Sequence, residues 1–122
     1  MRRMAQAGLT ILLLSAAPAL AQDPTVVDPD HYKVEFENDQ IRVLRITYGA
    51  GEKSVMHEHP NSYSVMLTDG RWKMTDPSGE IVETATSAGA SGWRPAERHL
   101  PENLSDGAAE VVLVELKGTE KN

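Results

Sequence analysis

The residues best suited to chemistry in this chain are His57, Glu58 and His59. On a β-strand, residues two apart project from the same face, so the two imidazoles converge while Glu58 points away. Paired imidazoles on one rigid strand supply half of a transition-metal site. A third ligand must come from elsewhere, and the one later histidine is His99, within Trp93-Arg94-Pro95-Ala96-Glu97-Arg98-His99. In a closed all-β domain a strand forty residues downstream can lie beside the first. His57, His59 and His99 would then give three neutral nitrogen ligands, with open positions left for water or substrate. His31, beside an acid-rich stretch, reads as a surface residue.

Cysteine is absent, which excludes a disulfide scaffold, a thiolate metal site and a cysteine nucleophile. Proton handling would fall to Tyr63, Glu97 or Glu102, with Tyr63 and Glu97 the catalytic candidates. The parity of His57 and His59 carries Tyr63, Val65 and Leu67 inward, provided Pro60 does not shift the register by one residue. Arg71, Arg94 and Arg98 are candidates for anchoring a substrate carboxylate, because a guanidinium fork suits that group. Trp72 and Trp93 read first as core or interface residues, and Trp93 is also a candidate for the pocket mouth near His99.

Those residues must be positioned by the elements around them, and only part of the chain is expected to fold. Residues 1–21 combine Arg2-Arg3, an apolar run from Leu9 to Ala17, and Ala19-Leu20-Ala21, the pattern of a signal peptide cleaved after Ala21. Export to a bacterial periplasm or beyond is therefore expected, with no lipobox cysteine and no membrane anchor after cleavage. The chain of 122 residues carries a net charge of −6. Gln22–Asn122 alone holds ten basic and eighteen acidic residues, a net −8. With Lys and Arg scattered singly there is no basic stripe, which argues against a nucleic-acid partner.

Residues 22–30, with three Asp and two Pro, suggest an extended N-terminal arm. From residue 31 to 118 the chain alternates apolar and polar residues in short runs: Tyr32–Glu37, Ile41–Tyr48, Ser62–Thr68, Arg71–Thr75, Glu80–Thr86, a short run from Trp93, and Ala109–Leu116. Asn38-Asp39 and Asp76-Pro77-Ser78-Gly79 read as turns, and Asp69-Gly70 as a two-residue hairpin. No window after residue 21 carries a helical stripe. Many short strands joined by turns imply an all-β sandwich, jelly roll or barrel, in one domain with a short tail at 119–122.

At this point the sequence resembles the cupin family, whose first motif is G-(x)5-H-x-H-(x)3,4-E-(x)6-G and whose second is G-(x)5-P-x-G-(x)2-H-(x)3-N. Gly51, His57, His59, Tyr63 and Gly70 reproduce the first spacing, with Tyr63 where the pattern has a glutamate that commonly ligates the metal. Gly89, Pro95, His99 and Asn103 resemble the second, one residue short between proline and histidine and with Glu97 in place of glycine. The resemblance implies a jelly-roll β-barrel (double-stranded β-helix), often dimeric, that binds Fe, Ni, Cu, Zn or Mn. It also implies a pocket-side hydrogen bond from Asn103, otherwise a turn residue. Glu97 is a candidate to stand in for the missing carboxylate. Three imidazoles without a carboxylate disfavour the harder Mn(II).

The expected function is metal-dependent handling of a small organic molecule, by dioxygenase, isomerase or lyase chemistry, with Arg94, Trp93 and Asn103 as substrate contacts. A non-catalytic binding module and a structural domain with a vestigial site are the alternatives.

Overall fold

The computed structural model describes residues 22–118; the expected signal peptide, 1–21, and the expected tail, 119–122, lie outside the described residues. One helical turn, α1 (Pro24–Val27), precedes nine strands: β1 (Tyr32–Glu37), β2 (Ile41–Tyr48), β3 (His57–His59), β4 (Ser62–Met66), β5 (Gly70–Thr75), β6 (Ile81–Thr86), β7 (Ser91–Arg94), β8 (Glu97–Asn103) and β9 (Ala109–Leu116).

The two longest alternating runs form the spine. β2 and β9 pair antiparallel without a break, from Ile41 opposite Leu116 to Tyr48 opposite Ala109. Their shared inward parity puts Leu44, Ile46, Tyr48, Ala109, Val111 and Leu113 into one buried cluster with Tyr32 and Trp72. Burying a side chain the size of Leu44 contributes about 1.5–3 kcal/mol. Around this spine the strands form a five-stranded sheet in the order β1-β2-β9-β4-β7, facing a four-stranded sheet in the order β3-β8-β5-β6. The expected barrel is thus two facing jelly-roll sheets, with no continuous ladder closing them into a cylinder.

Two turns form for the reasons their residues suggest. Asn38 Oδ1 accepts the backbone N–H of Gln40 and Ile41 between β1 and β2, and Asp76 Oδ1 accepts those of Ser78 and Glu80 between β5 and β6. The hairpin expected at Asp69-Gly70 does not form. β4 pairs with β7 and β9 while β5 pairs with β6 and β8, so residues 67–69 cross from one sheet to the other. Gly70 is needed for space rather than for a turn, because a Cβ there would lie 2.8 Å from Trp72 Nε1.

The expected extended arm at 22–30 is instead folded against the domain. Asp23 caps α1 by accepting the Thr25 N–H, Pro24 occupies the first turn and is buried, and the Gln22 carbonyl accepts the N–H of Glu58 in β3.

Candidate metal centre

β3 is only three residues long, and the strand period sends His57 and His59 to the inner face with Glu58 between them pointing away. β8 lies antiparallel beside it with His99 directly opposite His57. The three residues are 0%, 6% and 7% exposed, and their ring centroids lie 4.8–5.2 Å apart. One ring nitrogen from each lies within 4.8 Å of the others.

Hydrogen bonds on the far side of two rings decide which nitrogen is free. His57 Nδ1 donates to the Val55 carbonyl at 2.8 Å, and His59 Nδ1 donates to Glu115 Oε2 at 2.7 Å. With its Nδ1–H so placed, the His57 ring turns its Nε2 lone pair toward His59 Nε2, 3.1 Å away. Nitrogens about 2.0–2.1 Å from a common ion stand about 3.0–3.4 Å apart, so the spacing suits a ligand pair. His99 Nδ1 is 3.0 Å from Glu97 Oε1 but off the line of a hydrogen bond, and neither nitrogen of this buried ring has a bonded protein partner. Burial, followed by the neighbouring His59 and His99 rings, holds His57 down to about 3; burial likewise lowers His99. These two rings are neutral at physiological pH, the form a metal requires. The residues present therefore fit a divalent transition ion.

Charged partners stand behind the rings. Glu115 is 2% exposed and accepts His59 Nδ1–H with one oxygen, while Arg42 Nε and a terminal nitrogen reach the other at 2.8 and 2.7 Å. Arg42 in turn forks onto both oxygens of Asp23 at 2.7 and 3.0 Å. Burial opposes the Asp23 carboxylate, and the Arg42 and Thr25 hydrogen bonds outweigh it, so its pKa is lowered. Ser54 Oγ lies 3.2 Å from His57 Nδ1 and donates to Asp28.

Beside the histidines is a cavity of about 130 Å³ with walls from Ile46, Met66, Trp72, Met74, Val111 and Leu113. Its polar lining comes from Ser62, Ser64, Thr84, Thr86, Arg94 and Glu97, together with His59 and His99. Arg94 and Glu97 form an ion pair at 2.8 Å. Burial alone would raise Glu97, but His99 and Arg94 pull it down to about 2, so it stays an anion. Tyr32 and Tyr48 share a hydroxyl hydrogen bond of 2.6 Å, and burial raises both, so they stay phenols.

The histidine triad and Arg94 stand where the sequence places them, but three other candidates do not. Pro60 does shift the register: Ser62 and Ser64 face inward, while Tyr63 is 44% exposed and bonds Ser91 Oγ at 2.9 Å on the outer face. Trp93, opposite Tyr63, is 54% exposed and away from the cavity. Asn103 is fully buried and works as a structural clamp; its Nδ2 donates to the carbonyls of Tyr48, Gly49 and Gly107, and its Oδ1 accepts the Ser105 N–H. Glu97 does line the cavity, but beside His99 Nδ1 and outside the ligand group, so it does not replace the missing carboxylate.

Arg71 is exposed, Arg98 reaches Gln22 and Glu58, and Glu102 is outside the cavity lining. His31 is not a free surface residue; it lies between Asp28 and Glu52 and stacks on Tyr48 at 4.3 Å. Burial would lower it, but the two carboxylates raise it overall. Sequence reasoning missed Glu115 and Arg42. The available signal was that Glu115 shares the inward parity of Val111 and Leu113, where an acid needs a partner.

No family model matches the sequence, and neither does any curated protein. The structure is similar to the crystal structure of a cupin domain from Bordetella pertussis Tohama I, 26% identical, covering 71% of this chain and 92% of that one with a TM-score of 0.67. An RmlC-like cupin family protein with a double-stranded β-helix fold from Methanocaldococcus jannaschii is 15% identical, covering 70% and 77% of the two chains with a TM-score of 0.57. A variant of oxalate decarboxylase (B. subtilis) is 16% identical over 69% of this chain and 23% of that one, with a TM-score of 0.52.

Proposed function

We propose, from the premise that this chain is a cupin by fold, that it binds one divalent transition metal ion through His57, His59 and His99 and handles a small organic molecule in the adjoining cavity. The observation that carries this is the convergence of three buried imidazoles, with His57 and His59 Nε2 3.1 Å apart beside a third ring that has no bonded partner. An ion held there supplies Lewis acidity toward an oxygen of the bound molecule. Fe, Ni, Cu and Zn suit the nitrogen set better than Mn.

The cavity sets the kind of molecule. At about 130 Å³ it is close to the space that takes a benzene-sized ring. Its walls are mostly apolar, and its one cation, Arg94, is already paired with its one free-standing anion, Glu97. A small, largely apolar molecule with an oxygen directed at the histidines fits better than a polyanion. Dioxygenase, isomerase and lyase chemistry are all compatible with that arrangement.

A non-catalytic binding module is the second reading. It is favoured by the shortage of proton-transfer groups: Tyr63 is outside, Tyr32 and Tyr48 are held as phenols, and Glu97 is held as a carboxylate. Elemental analysis of the purified protein beside His57→Ala and His99→Ala tests the metal, with near-stoichiometric ion expected in wild type only. Equal, sub-stoichiometric metal in all three would remove the reading. Oxygen uptake with Fe(II) and a panel of diketones, phenols and thiols separates turnover from binding.

The signal-like leader supports a periplasmic or secreted location. A second copy of the chain is the proposed partner, supported by the outer face of the five-stranded sheet. There Phe36, Val43, Val114, Tyr63 and Trp93 stand in register across all five strands, with Phe36, Tyr63 and Trp93 each about half exposed.

A further inference from the structure

We propose that the segment Gln22–Asp28 is a clamp on the metal-binding strand: Asp23, acting through Arg42 and Glu115, and Asp28, acting through Ser54, hold the outer nitrogens of His59 and His57 and so set how tightly the three-histidine site keeps its ion. The inference rests on the metal reading above and adds the residues that govern affinity from outside the ligand set.

The need for a clamp follows from β3 itself. It has three residues, lies at the edge of its sheet, and has β8 as its one strand neighbour. Its other edge is covered by this segment, through the Glu58 N–H donated to the Gln22 carbonyl at 3.0 Å. So short a strand cannot by its own ladder fix two ligands to within a few tenths of an ångström.

The first branch runs through charge. His59 Nδ1–H meets Glu115, Glu115 meets Arg42, and Arg42 meets Asp23, at 2.7, 2.8 and 2.7 Å. The four side chains are 5%, 3%, 16% and 11% exposed, so solvent screens these contacts little. A carboxylate accepting the outer N–H fixes the tautomer and makes the inner nitrogen a better donor. Arg42 shares its charge between Glu115 and Asp23; with Asp23 neutralised, the guanidinium would act on Glu115 alone and weaken its pull on His59. The second branch ends at Asp28, which caps the other end of α1, is itself held by His31 and accepts the Ser54 hydroxyl, whose oxygen at 3.2 Å shares the His57 Nδ1–H with the Val55 carbonyl. A single helical turn therefore spaces the two carboxylates that serve the two histidines of β3.

The test compares wild type, Asp23→Asn, Glu115→Gln, their double variant and His59→Ala, with Arg45→Gln as a control that breaks ion pairs on the outer face. Zn(II) affinity is read by competition with a chromophoric chelator, and Co(II) geometry by visible absorption. Zn(II) affinity should fall about ten- to a hundredfold in Glu115→Gln and about three- to tenfold in Asp23→Asn, which acts one link further out. The double variant should bind no more weakly than Glu115→Gln alone, because both act along one path. The Co(II) band should shift in both single variants and stay in place in Arg45→Gln. If Asp23→Asn melts well below wild type without metal, Arg42→Gln takes its place in the single and double variants, because it breaks the same path between Asp23 and Glu115. Unchanged affinity in Asp23→Asn and Glu115→Gln, with loss in His59→Ala, overturns the clamp and leaves the metal reading standing. Additive losses in the double variant also overturn it. No binding by wild type overturns both.

Discussion

Acid should unfold the metal-free protein unusually early, and His57 should be a main cause. In the unfolded chain this imidazole takes up a proton near pH 6.5, whereas burial, then the His59 and His99 rings, hold it down to about 3 in the fold. Between those values the unfolded state binds the proton and the folded state does not. The stability is therefore fully present above about pH 6.5 and is lost as pH falls toward 3, at about 1.4 kcal/mol per pH unit. From pH 7.5 to 4.5 that is about 2–3 kcal/mol from His57 alone, and His99, also lowered by burial, adds in the same direction. For a domain of this size the fall corresponds to roughly 10–20 °C in Tm. Glu97 deepens the loss only below its unfolded value of 4.5, as pH falls toward about 2. The assay is urea unfolding followed by tryptophan fluorescence in the presence of chelator, from pH 7.5 to 4.5. His57→Asn keeps an N–H donor near the Val55 carbonyl and cannot titrate, so its stability should fall less steeply by about 1.4 kcal/mol per pH unit. Parallel slopes in the two proteins would refute the reasoning.

Zn(II) at a hundredfold over its Kd should stabilise the protein by about 2.7 kcal/mol, and this gain should vanish in His59→Ala and His99→Ala when melts are compared with and without metal. Gly70→Ala should cost about 1–3 kcal/mol in urea unfolding, because its Cβ would meet Trp72 Nε1 at 2.8 Å. Asn103→Ala leaves carbonyls of Tyr48, Gly49 and Gly107 without their donor and should cost about 2–3 kcal/mol while Zn(II) affinity stays unchanged. Trp93→Lys should shift the protein from dimer to monomer in sedimentation and leave metal binding as in wild type; an unaltered sedimentation coefficient would remove the outer face as the contact.

The strands that govern the fold are legible because their signal is local. Tyr32–Glu37, Ile41–Tyr48 and Ala109–Leu116 alternate cleanly and form with those limits. The His57-x-His59 pair is legible for the same reason, since two-residue periodicity alone aims both rings one way. Tyr63 fails because a proline between two strands can add one residue to the count and reverse every later side chain. Asp69-Gly70 fails because a glycine reads alike whether it serves a turn or makes room for an indole. Asn103 fails because its partners, the carbonyls of Tyr48 and Gly49, are more than fifty residues away. Asp23, Arg42 and Glu115 assemble from three distant segments, so no spacing announces them.

The position of β9 governs the order in which this protein can come into being. It is the last of the described strands in chain order, yet it lies in the middle of its sheet between β2 and β4 and carries the carboxylate that anchors His59. Arg42 meets its partner Glu115 across 73 residues. A chain that stops short of β9 has β2 and β4 but nothing to join them, so a stable five-stranded sheet waits for β9.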